Sequence, residues 1–365
     1  MKVAAFCQER SACTSLRIRD PINKGKQLGL FDAHVIGLMD PNTRKAFEEC
    51  DVMIFGRASN DAALDLVQRA HRAGKKVIYD LDDNMYDVSP MSPHYKDFGT
   101  MAIEFDKPDG SPGFLWEDGV AGFDVAVNRR RRAGFTELIR SVDCITVTTP
   151  PLVELYKRFN DNVEMVPNSI DFTVWERPPV RWEKDEVRLL YTGASNHQED
   201  WLFIAPVLER LQKAHPKLKI VLVGTNWRNI KNNLDYGRIE VHGWVDFEAY
   251  PYLIKTLCPD IGIAPISSTA FNDCRSSLKW LEYSSLQAVT VASDFGPYKR
   301  DMVDGDTGML VSTPDEWFDA LSWAIENDIG RKQIAINAYR HCKANYDLNY
   351  VVDEWKNVFE GVCKQ

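Results

Sequence analysis

Residues 264–298 read APISSTAFNDCRSSLKWLEYSSLQAVTVASDFGPY. One apolar run ends here and another begins, and between them stand Asn272, Arg275, Ser276, Ser277, Lys279 and Glu282. Two short β-branched runs flanking a polar loop and an amphipathic segment have the pattern of strand, loop, helix and parallel strand. In such sheets ligands bind beyond the carboxyl ends of the strands, where loops and helix starts converge. A helix start offers unpaired N–H groups and a positive dipole end to an anion. Ser276 and Ser277 are small enough to let a phosphate reach the backbone, Arg275 can add a bidentate contact, and Lys279 a point charge. A carboxylate at Glu282 does not suit a phosphate, so it is expected to meet a hydroxyl-bearing part of the same ligand, such as a ribose. The plain alternative is an ordinary amphipathic helix with a capping serine.

The same alternation runs outward in both directions. Upstream of residue 170 the expected strands are KVAAFC, AHVIGL, VMIFG, KVIYDLD, CITVTT and VEMVPN; after Pro178-Pro179 they are VRLLYTG, LKIVLVG, RIEVHG, IGIAPI, AVTVAS and GMLV. Helical stretches separate them, such as NDAALDLVQRAHRAG and EDWLFIAPVLERLQKAH. Strands alternating with helices specify α/β layers, and 365 residues at roughly 100–200 per domain suggest two domains. Their cleft is the expected binding site. Residues 84–119 interrupt the pattern and are expected to form a long irregular loop.

A hydrophobic fraction of 44% and a charged fraction of 27% fit a globular protein. No apolar run approaches the roughly 18–20 residues that span a bilayer. The N-terminal MKVAAFCQERSACTSLR brings charge too early for a signal peptide, so a cytoplasmic protein without a transmembrane segment is expected. The eight cysteines form no CxxC pair and read as free thiols. A net charge of −9 disfavours a surface given over to nucleic acid. Arg129–Arg132, with Arg140 further along the same helix, is the one basic block, either a solvated face or a contact to an anionic acceptor.

From about residue 140 to 345 the chain resembles the retaining nucleotide-sugar glycosyltransferases of the GT-B fold, group 1 or family 4. The phrases that carry the resemblance are VDCITVTTPPLVELY, VEMVPNSID, LLYTGASNHQEDW, KIVLVG, CPDIGIAPI, SSLKWLEYSSLQAVTVASDFGPY and DGDTGMLV, in that order. In the first half, SLRIRDPINKGKQLG and VIYDLDDNMYDVSP look like segments of the same group. The resemblance implies two Rossmann-like α/β/α domains facing a central cleft. Residues 1–175 would bind the acceptor, 176–345 the nucleotide sugar, and 346–365 would form a helix that packs back on the first domain. It implies no cofactor or metal, a UDP- or GDP-sugar as co-substrate, and transfer to a hydroxyl with retention.

Carried over residue by residue, the ribose-binding glutamate of the family is Glu282. The glutamate that many members place eight residues earlier, for the donor sugar, is here Cys274, which makes Asn272 the candidate for the sugar contact. Many members hold the diphosphate with an arginine and a lysine after the first strand of the second domain. Here GASNHQED, beginning at Gly193, has neither, so Arg275 and Lys279 are expected to supply the charge, with His197 adding a hydrogen bond.

In the first half, Asp80, Asp82 and Asp83 cluster after a strand, where they can serve the acceptor or catalysis, cap a turn, or hold a hard cation. Asp82 and Asp83 are taken as catalytic candidates and Asp80 as an acceptor contact. Arg17 can reach an acceptor or pair with the Asp cluster, and His94 can shuttle a proton or be an exposed loop residue. A glycan or glycolipid is the expected acceptor, with a hydroxymethylated base in DNA as the alternative. A two-domain small-ligand binding protein and a nucleotide-sugar epimerase are the remaining readings.

Overall fold

The computed structural model describes residues 1–7, 11–37, 40–56, 61–176, 186–193, 197–224 and 233–364. The chain divides into two units, Met1–Asn168 with Asn349–Gln365, and Ser169–Leu348. The first division thus falls after Asn168, seven residues before the expected 175/176 boundary, and the stretch around Pro178-Pro179 lies outside the described residues.

In the first unit β1 (Lys2–Cys7), β2 (Asp32–Gly37), β3 (Val52–Gly56), β4 (Lys76–Leu81), β7 (Cys144–Val147) and β8 (Val163–Met165) form a parallel sheet in the order β2-β1-β3-β4-β7-β8. Its central strands are buried along almost their whole length and mostly apolar because both faces are covered. The last helix, Leu348–Lys364, sends Val352, Trp355 and Phe359 into the core made by Val3, Ile54 and Ile78. Phe359 meets Phe31 edge-on at 5.2 Å.

The 84–119 stretch is more ordered than expected. It holds a short helix, Tyr95–Phe98, and an antiparallel hairpin of β5 (Ile103–Asp106) and β6 (Pro112–Trp116). The turn Lys107-Pro108-Asp109-Gly110-Ser111 closes the hairpin: Ser111 N and Oγ both donate to Asp109 Oδ1, and Gly110 takes φ 79°. The arginine block fastens this insert. On the helix Val125–Ser141, Arg129 donates to the Thr100 carbonyl, Arg131 to that of Asp97 and Arg132 to that of Tyr86, while Arg132 also lies over the Tyr86 ring.

In the second unit β9 (Val187–Gly193), β10 (Leu218–Gly224), β11 (Ile239–His242), β12 (Ile261–Ala264), β13 (Val289–Ser293) and β14 (Met309–Val311) run parallel in the order β11-β10-β9-β12-β13-β14. Counted within the unit this is 3-2-1-4-5-6, the nucleotide-binding order, whose direction reverses between β9 and β12. Those two strands pair only through Leu189 with Ile261 and Leu190 with Gly262, so they part before β9 ends. On the other side of β9 the backbones close up. A Cβ on Gly224 would lie 2.3 Å from the Gly193 carbonyl oxygen, and φ there is +107°. Trp201, Ile204, Leu208, Leu222, Trp317 and Leu321 fill the core beneath. No described helix is long and apolar enough to cross a membrane.

Candidate functional site

The gap left where β9 and β12 part is lined by the helix Leu278–Ser285. Its sequence, LKWLEYSS, buries Trp280, Leu281 and Tyr283, which leaves Lys279 and Glu282, three residues apart, on one shared face. Tyr283 fixes the helix against β12. Its ring lies on Gly262, where an added Cβ would fall 2.2 Å from the ring, and its hydroxyl donates to the Ile263 carbonyl at 3.2 Å. Lys279 Nζ donates to the Thr192 carbonyl at the end of β9. Glu282 is 6% exposed and accepts from the Tyr250 hydroxyl at 3.0 Å.

Burial pushes the Glu282 carboxyl well above the usual range, against the opposing pull of Lys279 and Tyr250. Burial likewise lowers Lys279, with Glu282 holding its charge and Arg275 repelling it. Each group therefore depends on the other to remain ionised.

A second chain of contacts approaches from β9. His197 and Asp200 stand at the start of the helix Gln198–Ala214, both buried, with His197 Nδ1 2.7 Å from Asp200 Oδ2. Arg275 Nη2 lies 3.4 Å from His197 Nε2. Burial, reinforced by Lys279 and Arg275, holds His197 well below its ordinary pKa, so the ring is neutral. A guanidinium only donates, so Nε2 is the acceptor and Nδ1 carries the proton that is donated to Asp200. Burial pushes Asp200 up to about 6, although Arg275 and Lys279 act to lower it.

Other expected residues turn out to brace the loop. Ser277 Oγ donates to Asp301 Oδ2 at 2.7 Å and does not cap its helix. Asn272 spends its amide Nδ2 on Ser267, at 2.9 Å to the carbonyl and 3.0 Å to the hydroxyl. Only its Oδ1 is left to face a sugar. Arg300 Nη2 donates to the Arg275 carbonyl at 3.0 Å and steadies that residue's backbone. Ser276 and Gly193 are half-buried at the edge of the site, and Cys274 is buried; residues 194–196 of GASNHQED lie outside the described residues. The expectation missed Asp200, Thr192 and Tyr250. Of these only Asp200, one helical turn after His197, left a trace in the spacing.

In the first unit, Arg17 and Asp80 are 3% and 4% exposed and are joined by two bonds, Nη2 to Oδ1 at 2.8 Å and Nε to Oδ2 at 3.2 Å. Thr146 donates to Oδ1 of the same carboxylate, and Arg17 Nη1 donates to the Val166 carbonyl at 2.6 Å. Both side chains are thus joined in this buried pair, the alternative expected for Arg17 beside an acceptor contact. Burial raises the Asp80 pKa even so, with Arg17 and Thr146 opposing. Asp82 and Asp83 are half-buried just past β4, and the Asp83 carbonyl accepts from the Tyr156 hydroxyl at 2.8 Å. His94 is exposed at the start of the helix Tyr95–Phe98. In the block Arg129–Arg132, Arg129, Arg131 and Arg132 hold the insert, and Arg129 and Arg130 are exposed. Among the described residues no three His, Cys, Asp or Glu side chains gather as a metal site, and all eight cysteines are free thiols.

Residues 186–327 match the family model described as glycosyl transferases group 1. Among solved structures the chain is similar to Anabaena HepE in complex with UDP-glucose, at 12% identity over 100% of both chains with a TM-score of 0.66. It is also similar to the sucrose-phosphate synthase of Thermosynechococcus elongatus, at 13% identity over 99% of this chain and 98% of that one, TM-score 0.66. A glycosyltransferase from Rickettsia africae gives 11% identity over 100% and 99%, TM-score 0.60. No curated protein matches. At these identities the structures establish the fold, and the family model covers the part of the second unit that holds Lys279, Glu282 and the Arg275–His197 contact. Residues 186–327 therefore form a group 1 glycosyltransferase domain within a chain of the GT-B fold, built of two Rossmann-like α/β units.

Proposed function

We propose that the protein transfers a glycosyl group from a nucleoside diphosphate sugar to an acceptor hydroxyl with retention of configuration, in the synthesis of a polysaccharide or glycolipid. The observation that carries this reading is the pairing of two cations, Arg275 and Lys279, with the buried carboxylate Glu282 on one loop and helix at the point where the sheet order reverses. Departure of a nucleoside diphosphate gathers negative charge on the leaving phosphate, and fixed cations and N–H groups there lower the barrier. Arg275, Lys279 and the start of the helix Leu278–Ser285 take that part. Glu282 takes the ribose hydroxyls, and Asn272 Oδ1 the sugar. The HepE complexes with UDP-glucose and UDP favour a uridine donor over a guanosine one.

On the first unit, Asp82 and Asp83 are the groups proposed to meet the acceptor, with His94 as the proton carrier. The net charge of −9 supports a glycan or lipid hydroxyl over a DNA base, because a DNA acceptor needs a surface rich in cations.

A thermal-shift series with UDP, GDP and their glucose conjugates tests the donor. A ligand that binds only the folded state raises its stability with the logarithm of concentration over Kd. A shift with a nucleoside diphosphate supports the reading, and no shift with any of them overturns it. The anomeric configuration of the product, read by NMR, tests retention.

A further inference from the structure

We infer that His197 and Asp200 serve the donor site through Arg275: the imidazole aims the guanidinium at the diphosphate and does not itself touch the donor. The inference rests on the donor reading above. It follows from a contrast within the molecule. Arg17 is held by a carboxylate, Asp80, at 2.8 Å and 3.2 Å, and the pair is closed and neutral. Arg275 is held by a neutral ring at 3.4 Å, with the Phe271 ring 5.8 Å from its guanidinium carbon, and makes no salt bridge among the described residues. Ordering an arginine costs rotamer freedom, so a loose guanidinium is a poor preformed anion contact. A carboxylate partner would order it but cancel its charge. An imidazole acceptor orders it and leaves the charge for the ligand.

Asp200 completes the device. By taking the Nδ1 proton at 2.7 Å it keeps Nε2 an acceptor, the only form of the ring that can face a guanidinium. The carboxylate itself stands one ring further from Arg275. The charged and titratable groups around the ring are Arg275 and, on the packed helices, Asp200, Glu199, Lys279 and Glu282, with Tyr191 and Tyr298 behind them. Lys279 and Arg275 both disfavour a protonated ring, which guards the acceptor form.

The test is a double-mutant cycle read by calorimetric titration with UDP, or with GDP if UDP does not bind. His197→Leu is expected to weaken binding about tenfold or more, as loss of a hydrogen bond to a charged group does. In an Arg275→Ala background the same change is expected to alter binding by less than about twofold, because the group it positions is gone. His197→Gln keeps an acceptor oxygen and is expected to recover most of the affinity. Asp200→Asn, which lets the ring carry its proton on Nε2, gives the same cycle if the leucine variant does not fold. Undiminished affinity in His197→Leu overturns the inference, and so does an undiminished cost in the Arg275→Ala background. Wild-type protein that binds neither nucleotide overturns the donor reading itself, a result distinct from either.

Discussion

Replacing Glu282 by Gln probes both halves of the donor site with a single atom change. The amide keeps the shape of the side chain and an oxygen to accept from the Tyr250 hydroxyl, so the fold is expected to persist with a melting temperature within a few degrees of wild type. What changes is charge. A carboxylate hydrogen-bonded to a hydroxyl is worth about 1.5–3 kcal/mol and a neutral acceptor about 0.5–1.5, so the loss of about 1–2 kcal/mol corresponds to roughly 5- to 30-fold weaker donor binding. A second effect follows from the coupling of Glu282 to Lys279. Burial already lowers the lysine, and the carboxylate is the first-ranked force opposing that, so its removal drives the lysine pKa lower still. The lysine attracts the diphosphate only while protonated, and affinity therefore declines as pH rises through its lowered pKa. In Glu282→Gln that decline is expected to begin about one pH unit earlier. Calorimetric titration with UDP from about pH 7 to about pH 10 measures both effects. Undiminished affinity removes Glu282 from the site. Reduced affinity with a parallel pH profile refutes the coupling and leaves Lys279 independent of its neighbour.

Other changes test the frame around these groups. Gly262→Ala places a methyl 2.2 Å from the Tyr283 ring and is expected to cost about 1–3 kcal/mol of stability and to weaken UDP binding by displacing the adjacent Glu282; urea unfolding and UDP titration both at wild-type values refute the packing argument. Asp80→Ala strands the buried Arg17 guanidinium and is expected to cost about 3–5 kcal/mol in urea unfolding, most of it recovered when Arg17 is also replaced by Met; a loss below about 1 kcal/mol refutes the closed pair. Arg275→Ala is expected to slow release of nucleoside diphosphate from the donor by about 2–4 kcal/mol of barrier, and an undiminished rate moves the phosphate contact elsewhere.

The sheets were legible because their chemistry is local. A parallel strand covered on both faces reads as a near-continuous apolar run, and each of the twelve runs read from the sequence contains or overlaps a strand of the two sheets. Ends were less sharp. VEMVPN supplies only Val163–Met165. The hairpin of β5 and β6 was missed although Pro-Asp-Gly at 108–110 is a turn signal, because Pro112 and Gly113 break the alternation of its second strand. The composition of the site, an arginine, a lysine and a glutamate before a buried strand, was readable from residues 264–298. Its wiring was not. Arg275 meets His197 across 78 positions, and periodicity carries no record of which distant groups a fold brings together; the pairing of Arg17 with Asp80, across 63, stood only as one of two readings.

The way the insert is fastened has a consequence of its own. Asn128 donates to the carbonyls of Lys96 and Gly99, and Arg129, Arg131 and Arg132 reach those of Thr100, Asp97 and Tyr86. Each of these bonds grips main chain, which every amino acid carries alike. In the hairpin, Phe105, Phe114 and Leu115 are exposed and take no part in that grip. A helix that clasps a segment by its carbonyls can keep it in place while the residues displayed on its surface are exchanged, so the outer face of this unit can be rewritten without rebuilding its support.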